Sequence, residues 1–230
     1  MYSIILPSFK EVNNIDLLVD EIFNVLIKDI EIIVIDDFSN DGTEELLKKK
    51  IKKYKKLKYL IRYTDKGLAK SIYEGILLSQ NNNIIVMDCD YNHNPKDIIQ
   101  LINKFEKNNL DFVSASRFKN VKLKDLKLRF ILSYFYCKIL SKFLNYNNSD
   151  SLSGFFIIKK KLLNEINLNK IFYGYGDYFF RLIYYLNNKD FKSDEIHVKY
   201  GNRVYGKSKT NFIKVFLKYT YEAIKLKFND

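Results

Sequence analysis

The sequence predicts an α/β protein with a mostly parallel sheet and helices on both faces. Three observations indicate this fold class. Short apolar runs alternate with segments of helical periodicity through the first half of the chain. The apolar runs are continuous rather than alternating, which is typical of strands buried on both faces of a parallel sheet. The 230 residues are 47% hydrophobic, which is enough for the core of one domain.

Strands and helices are expected to alternate along this first half. The expected strands are the continuous apolar runs Tyr2–Leu6, Ile30–Ile35, Leu57–Ile61, Asn83–Met87 and Leu110–Ala115. The expected helices are the segments with apolar residues three or four positions apart, at Ile15–Ile27, Thr43–Lys53, Leu68–Ser79 and Pro95–Lys107.

Polar clusters come directly after four of the five expected strands. They read PSFKE after the first strand, DDFSNDGT after the second, DCDYN after the fourth and SRF after the fifth. Ligands of such sheets bind beyond the carboxyl ends of the strands. Four clusters at one edge therefore predict a binding site there.

Two later segments combine basic residues with dense aromatic and aliphatic residues. They are Leu123–Leu144 and Thr210–Phe228, and both are expected to be helical. Amphipathic helices of this composition suit contact with an anionic lipid surface. The alternative is burial against the core, with the lysine stems covering apolar surface.

The chain is basic, with 39 Lys and Arg against 27 Asp and Glu and a net charge of +12. This excess favours an anionic partner such as a nucleotide, a nucleic acid or an acidic lipid surface. A coding bias toward lysine is the alternative explanation. The sequence has no recognition-helix or RNA-binding motif, so no nucleic-acid partner is expected.

The spacing of the cysteines and the length of the apolar runs indicate the cellular compartment of the protein. Spacing does not pair Cys89 with Cys137, which favours a reducing environment. The start MYSIILPSFKE lacks the features of a signal peptide. Charged residues or asparagines interrupt every apolar run before the ~20 residues that a membrane span needs. We therefore expect a cytoplasmic protein that is peripheral on the cytoplasmic face of a membrane.

The stretch MDCDYNHNP carries the strongest candidate for metal chemistry. Side chains two positions apart in an extended segment point to the same side. Asp88, Asp90 and Asn92 can therefore offer three oxygens to one divalent cation. The alternative is a polar turn before the helix that Pro95 opens. His93 and His197 are interpreted as structural, since the sequence gives neither a partner.

The stretch IDDFSNDGT contains acidic residues with different expected roles. Asp37 lies at the strand edge and is expected to be exposed, where it could accept hydrogen bonds from a nucleobase. Capping alone could explain Asp36. Asp41 and Gly42 are interpreted as turn formers, and Thr43 as a cap for the next helix.

In this order and spacing, ILPSFKE, IDDFSNDGT and MDCDYNHNP resemble inverting family 2 glycosyltransferases. The later motifs SASRF, SDSLSGFF, GYGDYFFRLIYYL and RVYGKSK resemble the dolichyl-phosphate mannose synthase branch. The resemblance covers most of residues 2–210. It implies an A-type, Rossmann-like glycosyltransferase fold, with a catalytic domain at 1–209 and an amphipathic helix at 210–230. Within the domain, 122–146 is an amphipathic segment expected to face a membrane.

The resemblance also implies roles for single residues. Those implied at the nucleotide sugar are Pro7, Phe9, Glu11, Asp37, Asp88, Cys89, Asp90, Arg117, Arg203 and Lys209. Within this set Asp37 would contact the base, and Arg117, Arg203 and Lys209 would contact phosphates. Asp88, Asp90 and Asn92 would hold Mg²⁺ or Mn²⁺. The implied catalytic residues are Asp90, Arg117, Arg203 and Lys209.

Some positions depart from the family pattern. Phe9 stands where the family usually has tyrosine, Cys89 where alanine is common, and Asn92 where serine or glutamine is common. Leu152 and Phe156 depart from the family's TSGFR-like motif. These last two affect acceptor recognition rather than the donor site.

The expected reaction is metal-dependent, inverting transfer of a hexose to polyprenyl phosphate. Mannose from GDP-mannose is the first choice and glucose from UDP-glucose the second, with an anionic membrane surface and a membrane protein as further expected partners. One alternative is transfer to a saccharide hydroxyl, which needs a general base, and Asp177 is the candidate. A different alternative is a nucleotide-sugar-binding protein without catalysis.

Overall fold

The structure is a computed structural model that describes residues 1–25, 29–122, 128–201, 203–205 and 212–229, without the side chains of 129, 212 and 229. The strands in it are β1 (Tyr2–Ser8), β2 (Ile30–Asp36), β3 (Leu57–Ile61), β4 (Asn83–Val86), β5 (Phe112–Ser116), β6 (Phe156–Lys159) and β7 (Ser193–His197). The helices are α1 (Val12–Val25), α2 (Thr43–Lys53), α3 (Leu68–Leu78), α4 (Asp97–Lys107), α5 (Leu128–Leu144), α6 (Lys160–Asn164), α7 (Leu168–Ile171), α8 (Tyr178–Asn187) and α9 (Phe212–Asn229).

The strands form one mixed sheet in the order β3-β2-β1-β4-β6-β5-β7. Strands β1 to β4 are mutually parallel, and β5 is parallel to β7. Strand β6 lies between β4 and β5 and is antiparallel to both. The carboxyl ends of β1, β2 and β4 therefore open at the same edge of the sheet, beside the ends of β3 and β5.

The five strands expected from the sequence are confirmed, with ends that differ by at most two residues. The sequence prediction missed β6 and β7 for different reasons. The apolar run of β6 was interpreted only as part of a motif, although FIIK is a strand with its first three residues buried. Strand β7 has the sequence SDEIH and lies at the sheet edge, where no apolar run is needed.

Each face of the sheet has its own hydrophobic core, which confirms helices on both faces. Ile4 and Leu6 of β1 pack on the side of α1 and α4, whereas Ile5 packs on the opposite side. That opposite core contains α3, α5, α8 and α9. Complete burial of a side chain of this size contributes about 1.5–3 kcal/mol. Strands β1 and β2 are buried along their whole length, as their continuous apolar runs indicated.

Helices α5 and α9 pack against each other and leave an apolar surface uncovered. The rings of Tyr136 and Phe216 are 5.0 Å apart, and Tyr136 Oη lies 3.2 Å from Thr220 Oγ1. We define the apolar face as the exposed residues Leu128, Leu132, Phe135 and Ile139 of α5 with Ile213, Phe216, Leu217, Tyr221, Ile224 and Phe228 of α9. In the described part of the chain, every helix is too short or too polar to cross a membrane.

Candidate active site

A cavity of about 570 Å³ opens at the carboxyl ends of the parallel strands. Its walls contain most of the residues expected at a nucleotide sugar, namely Pro7, Phe9, Glu11, Asp37, Asp88, Cys89, Asp90 and Arg203. Strands β1, β2 and β4 bring the first seven of these together, and the segment after β7 supplies Arg203. Lys209, expected at the same place, lies outside the described residues. We call this cavity the donor pocket.

The two aspartates at the end of β2 have different environments. Asp36 accepts hydrogen bonds from Ser8 Oγ at 2.9 Å and from Ser39 N at 2.8 Å, so it holds the turns after β1 and β2 together. Asp37 is buried, and the expectation that it is exposed was wrong. Its oxygens accept from Arg62 Nη1 at 3.0 Å, Ser71 Oγ at 2.9 Å and Gly67 N at 2.7 Å.

The neighbouring turn differs slightly from its expected form. Asp41 accepts from the backbone N and the hydroxyl of Thr43, at 3.1 and 2.6 Å. Gly42 has φ +93°, the left-handed conformation that suits glycine. Both are turn formers, as expected. Thr43 is the first residue of α2 rather than its cap, a position that Gly42 takes without a side-chain bond.

These contacts change what a substitution of Asp37 should do. Asp37→Ala removes the carboxylate that pairs with Arg62 and the acceptor of Gly67 N, and an unsatisfied buried group costs about 1–3 kcal/mol. We therefore expect a lower melting temperature together with weaker binding of GDP or UDP. Calorimetry and thermal unfolding measure the two effects. Ser71→Ala is the control, since it removes one partner only. A variant with unchanged nucleotide affinity would contradict the base-contact role.

The sequence prediction missed Lys66 and Gly67, which line the donor pocket after β3. The sequence RYTDKG places a polar turn after the third strand, so the rule that found the other four clusters could also have found this one. Gly67 has φ +145°, and a Cβ there would lie 3.3 Å from Gly174 O. Lys66 Nζ lies 5.0 Å from the centre of the Phe38 ring.

Asp88 and Asp90 lie in the donor pocket with raised pKa values. Burial, with a contribution from Glu11 and opposed by Arg203, raises the pKa of Asp88 to about 6. Burial and the charge of Asp88 raise the pKa of Asp90. Arg203 Nη2 lies 2.5 Å from Asp90 Oδ2, and its Nη1 lies 4.0 Å from Glu11 Oε1.

A divalent cation fits the chemistry of this pair. Two neighbouring carboxylates whose ionised forms are disfavoured would both be stabilised by such a cation. Asn92, expected as a third ligand, instead donates to Asp90 from its backbone N at 3.0 Å and from Nδ2 at 2.9 Å. The described residues contain no group of three or more His, Cys, Asp and Glu side chains placed to hold a metal. Asp88 and Asp90 are therefore the residues that would hold it, with Asn92 orienting Asp90.

Arg117, expected at the phosphates, is not among the residues that line the donor pocket. Its Nε and Nη2 each donate to Asp150 at 2.7 Å, which makes a bidentate pair. Its guanidinium carbon lies 4.7 Å from the ring centres of Phe118 and Tyr200. The geometry thus gives Arg117 a buried counter-ion rather than a place in the pocket wall.

Asp177, the candidate general base, is fully buried and does not line the pocket. Its Oδ2 accepts from Arg181 Nη1 at 2.6 Å, and its Oδ1 accepts from Tyr175 N at 2.7 Å. Its side chain makes no capping bond to α8 either. The base role is therefore contradicted by the geometry, and the side chain instead belongs to a buried ion pair.

His93 is structural, as expected, but it has two partners that the sequence did not indicate. Its Nδ1 accepts from Asp88 N at 2.9 Å, and its Nε2 lies 2.9 Å from Tyr200 Oη. Burial lowers the pKa of His93 to about 4, so the ring is neutral at pH 7. Cys89 Sγ donates to Pro7 O at 3.1 Å and joins the ends of β4 and β1.

Comparison with known proteins shows the family of the chain and agrees with its fold. Residues 3–166 match the sequence profile described as Glycosyl transferase family 2. The chain is 30% identical to a dolichol-phosphate mannosyltransferase from Pyrococcus furiosus, over 97% of this chain and 63% of that protein. It is 26% identical to a dolichol-phosphate mannosyltransferase from Saccharomyces cerevisiae, over 72% of this chain and 63% of that protein. The chain thus spans less than two thirds of the length of both relatives.

A solved structure shows the same fold. Glucosyl-3-phosphoglycerate synthase from Mycobacterium tuberculosis, in complex with Mn²⁺ and uridine-diphosphate-glucose, gives a TM-score of 0.65 at 15% identity. The match covers 99% of this chain and 78% of that chain. At this identity the similarity concerns the fold alone, and it confirms the predicted α/β class.

Proposed function

The chain belongs to glycosyl transferase family 2 and has the A-type fold, and on that premise we propose that it transfers a hexose from a nucleoside diphosphate sugar to polyprenyl phosphate. The transfer inverts the anomeric carbon and uses Mg²⁺ or Mn²⁺. Mannose from GDP-mannose is the first choice, supported by the names of the two relatives, and glucose from UDP-glucose is the second. Residues 1–209 are the proposed catalytic domain and 210–230 an amphipathic helix.

The observation that carries the lipid acceptor is the position of α9. Lys214 and Val215 of this helix line the donor pocket. Their neighbours Ile213 and Leu217 are 75% and 62% exposed and belong to the apolar face. One helix therefore borders both the pocket and the apolar surface. An acceptor with a phosphate head and an apolar tail matches this arrangement, whereas a saccharide would leave the apolar face unexplained.

The charges of the pocket suit two phosphate-bearing substrates. Lys66, Arg203 and Lys214 bring three cationic side chains to its walls. Arginine presents a planar fork to phosphate oxygens, and lysine a compact charge on a long stem. We assign Arg203 to the diphosphate, because it lies beside Asp90, and Lys214 to the acceptor phosphate, because it lies on α9.

In the proposed reaction, a phosphate oxygen of the acceptor attacks the anomeric carbon of the sugar. The bond from that carbon to the diphosphate oxygen breaks, and the nucleoside diphosphate leaves with the electron pair. The acceptor phosphate is already ionised near neutral pH, so no general base is required. When held by Asp88 and Asp90, a divalent cation supplies positive charge that stabilises the leaving diphosphate. Arg203 adds a preorganised charge at the same place.

The experiment that tests this function measures label transfer into lipid. Purified protein is incubated with polyprenyl phosphate and a panel of labelled nucleotide sugars, in Mn²⁺ and in chelator. We expect label in the lipid phase with GDP-mannose or UDP-glucose and a cation. Label in a saccharide acceptor only would support the alternative acceptor. Donor binding without any transfer would support the non-catalytic alternative.

A second prediction concerns the membrane. The apolar face, with the lysines of α5 and α9, should bind the protein to vesicles that contain anionic lipid. In the cell, we propose that the same face binds the cytoplasmic side of a membrane. Burying a leucine contributes about 1.5–3 kcal/mol, so Leu132→Asp and Leu217→Asp should each weaken vesicle binding by at least about tenfold. Co-sedimentation with vesicles containing anionic lipid measures this.

The control for this experiment is Leu17→Asp, on α1 and also exposed. It makes the same chemical change away from the apolar face, so vesicle binding should be unchanged. Binding should also fall in high salt and with neutral lipid. Equal recovery in the supernatant with and without vesicles would exclude direct lipid contact and leave a membrane-protein partner as the cover for this face.

A further inference from the structure

The turn that carries the paired aspartates is joined to the segment that carries Arg203. We call residues 88–93 the carboxylate turn, and Tyr200, Gly201 and Arg203 the arginine segment. They lie more than 100 positions apart in the chain. Each member of the arginine segment has a partner in the carboxylate turn, as the following contacts show.

The first contact runs through His93. Its Nδ1 accepts from Asp88 N, so the neutral ring carries its proton on Nε2 and donates it to Tyr200 Oη at 2.9 Å. Tyr200 Oη in turn donates to Ser153 O at 3.0 Å. The His93 ring is stacked on Phe155 with ring centres 4.8 Å apart, so its orientation is fixed. A chain of hydrogen bonds therefore connects the backbone of Asp88 with Tyr200.

The second contact is a hydrogen bond between backbone atoms, and it leaves no room for a side chain at position 201. Gly201 N donates to Asn92 O at 2.9 Å. A Cβ at position 201 would lie 2.5 Å from Tyr91 O, closer than real contacts allow. Because the clashing atom belongs to the backbone, alanine at position 201 would push the two segments apart.

The third contact is the ion pair between Arg203 and Asp90, with nitrogen and oxygen 2.5 Å apart. Asp90 is oriented from its other side by Asn92, which belongs to the same turn. The guanidinium of Arg203, proposed to bind the diphosphate, is thus held at a fixed distance from Asp88 and Asp90, the residues that would hold the metal. The guanidinium of Arg117 lies against the Tyr200 ring and so helps to fix the position of Tyr200.

We propose that Tyr200, His93 and Gly201 are positioning residues that set Arg203 against Asp88 and Asp90. This rests on the proposed function, in which Arg203 binds the diphosphate. None of the three needs to touch the substrate. Their effect passes through Arg203, so it should vanish when Arg203 is absent. A purely structural effect would instead persist in that background.

The test is a double-mutant cycle read by calorimetry of GDP and UDP with Mn²⁺. Tyr200→Phe removes the hydroxyl alone, and we expect about two- to tenfold weaker binding, the range of one hydrogen bond. Gly201→Ala should weaken binding at least about tenfold. The added Cβ clashes with Tyr91 O, and the resulting shift moves Arg203 away from the diphosphate. Combined with Arg203→Ala, each should change affinity less than about twofold. Tyr184→Phe, a partly exposed tyrosine on α8 that lines neither the donor pocket nor the apolar face, is the matched control and should have no effect.

The outcomes separate this proposal from the function it rests on. If the wild-type protein binds neither GDP nor UDP, the proposed function fails. If it binds and the substitutions weaken affinity equally with and without Arg203, or not at all, the positioning role is overturned. Circular dichroism checks folding, and if Gly201→Ala does not fold, Tyr200→Phe alone decides the result. His93→Gln, which can still reach Tyr200, should keep more affinity than His93→Ala.

Discussion

Replacing Asp90 with alanine should abolish sugar transfer, and replacing Asp88 with alanine should reduce it severely. Asp88 and Asp90 line the donor pocket together, and Asp90 is also the partner of Arg203. Without either carboxylate the site would no longer hold a divalent cation beside the leaving diphosphate, and without Asp90 Arg203 also loses this ion-pair partner. Removal of one preorganised charge-stabilising group costs about 10²–10³ in rate, and Asp90→Ala disturbs two. Transfer of labelled sugar to polyprenyl phosphate measures the loss.

The metal role can be measured apart from the reaction. Burial raises the pKa of Asp88 to about 6, so at pH 7 the carboxylate is mostly ionised but its charge is less stable in the folded protein than in the unfolded chain. A divalent cation binds that ionised form, so Mn²⁺ should raise the melting temperature of the wild-type protein at pH 7. Asp88→Asn should lose this response. Asp97→Asn, a carboxylate outside the pocket, should keep it. Full activity of Asp90→Ala in chelator-treated buffer would contradict the metal role.

The position of the pocket could be predicted because its signals in the sequence are local. Continuous apolar strands indicate burial on both faces, and the polar residues that follow them must lie at the carboxyl edge. Pro7, Asp37 and Asp88 were placed in this way, and all three line the pocket. Lys66 was missed although the same rule applies after β3. Lys214 could not be found by it, since a helix from the far end of the chain brings this residue to the pocket.

Arg117 and Asp177 were misplaced because their partners are set by tertiary structure. Arg117 pairs with Asp150, which is 33 positions away and on no shared element. A charged residue in a motif has the same local sequence whether it faces a ligand or a buried counter-ion. The motif resemblance therefore gave the family correctly but not the environment of these two side chains.

Replacing Asp177 with asparagine should destabilise the protein strongly rather than slow the chemistry. Asp177 and Arg181 are both fully buried and paired at 2.6 Å. Glu222 of α9 lies 3.5 Å from the same arginine nitrogen and accepts from Tyr173 Oη at 2.6 Å, so this network docks α9 on the domain. Breaking a buried pair on one side leaves an uncompensated charge and costs about 3–5 kcal/mol. Denaturant unfolding of Asp177→Asn should show a loss of this order, with Asp97→Asn as the control.

The same variant decides between the two acceptors. If Asp177 only holds α9, replacing all three buried ions, with Asp177→Leu, Arg181→Met and Glu222→Leu, should recover part of the stability, because apolar side chains of similar volume take their place. It should also recover transfer to polyprenyl phosphate, since an ionised phosphate oxygen needs no base. A hydroxyl acceptor requires proton removal, which typically contributes about 10²–10⁴ to the rate. Asp177→Asn protein with unchanged stability and donor affinity but transfer reduced more than about a thousandfold would therefore show a general base and a hydroxyl acceptor.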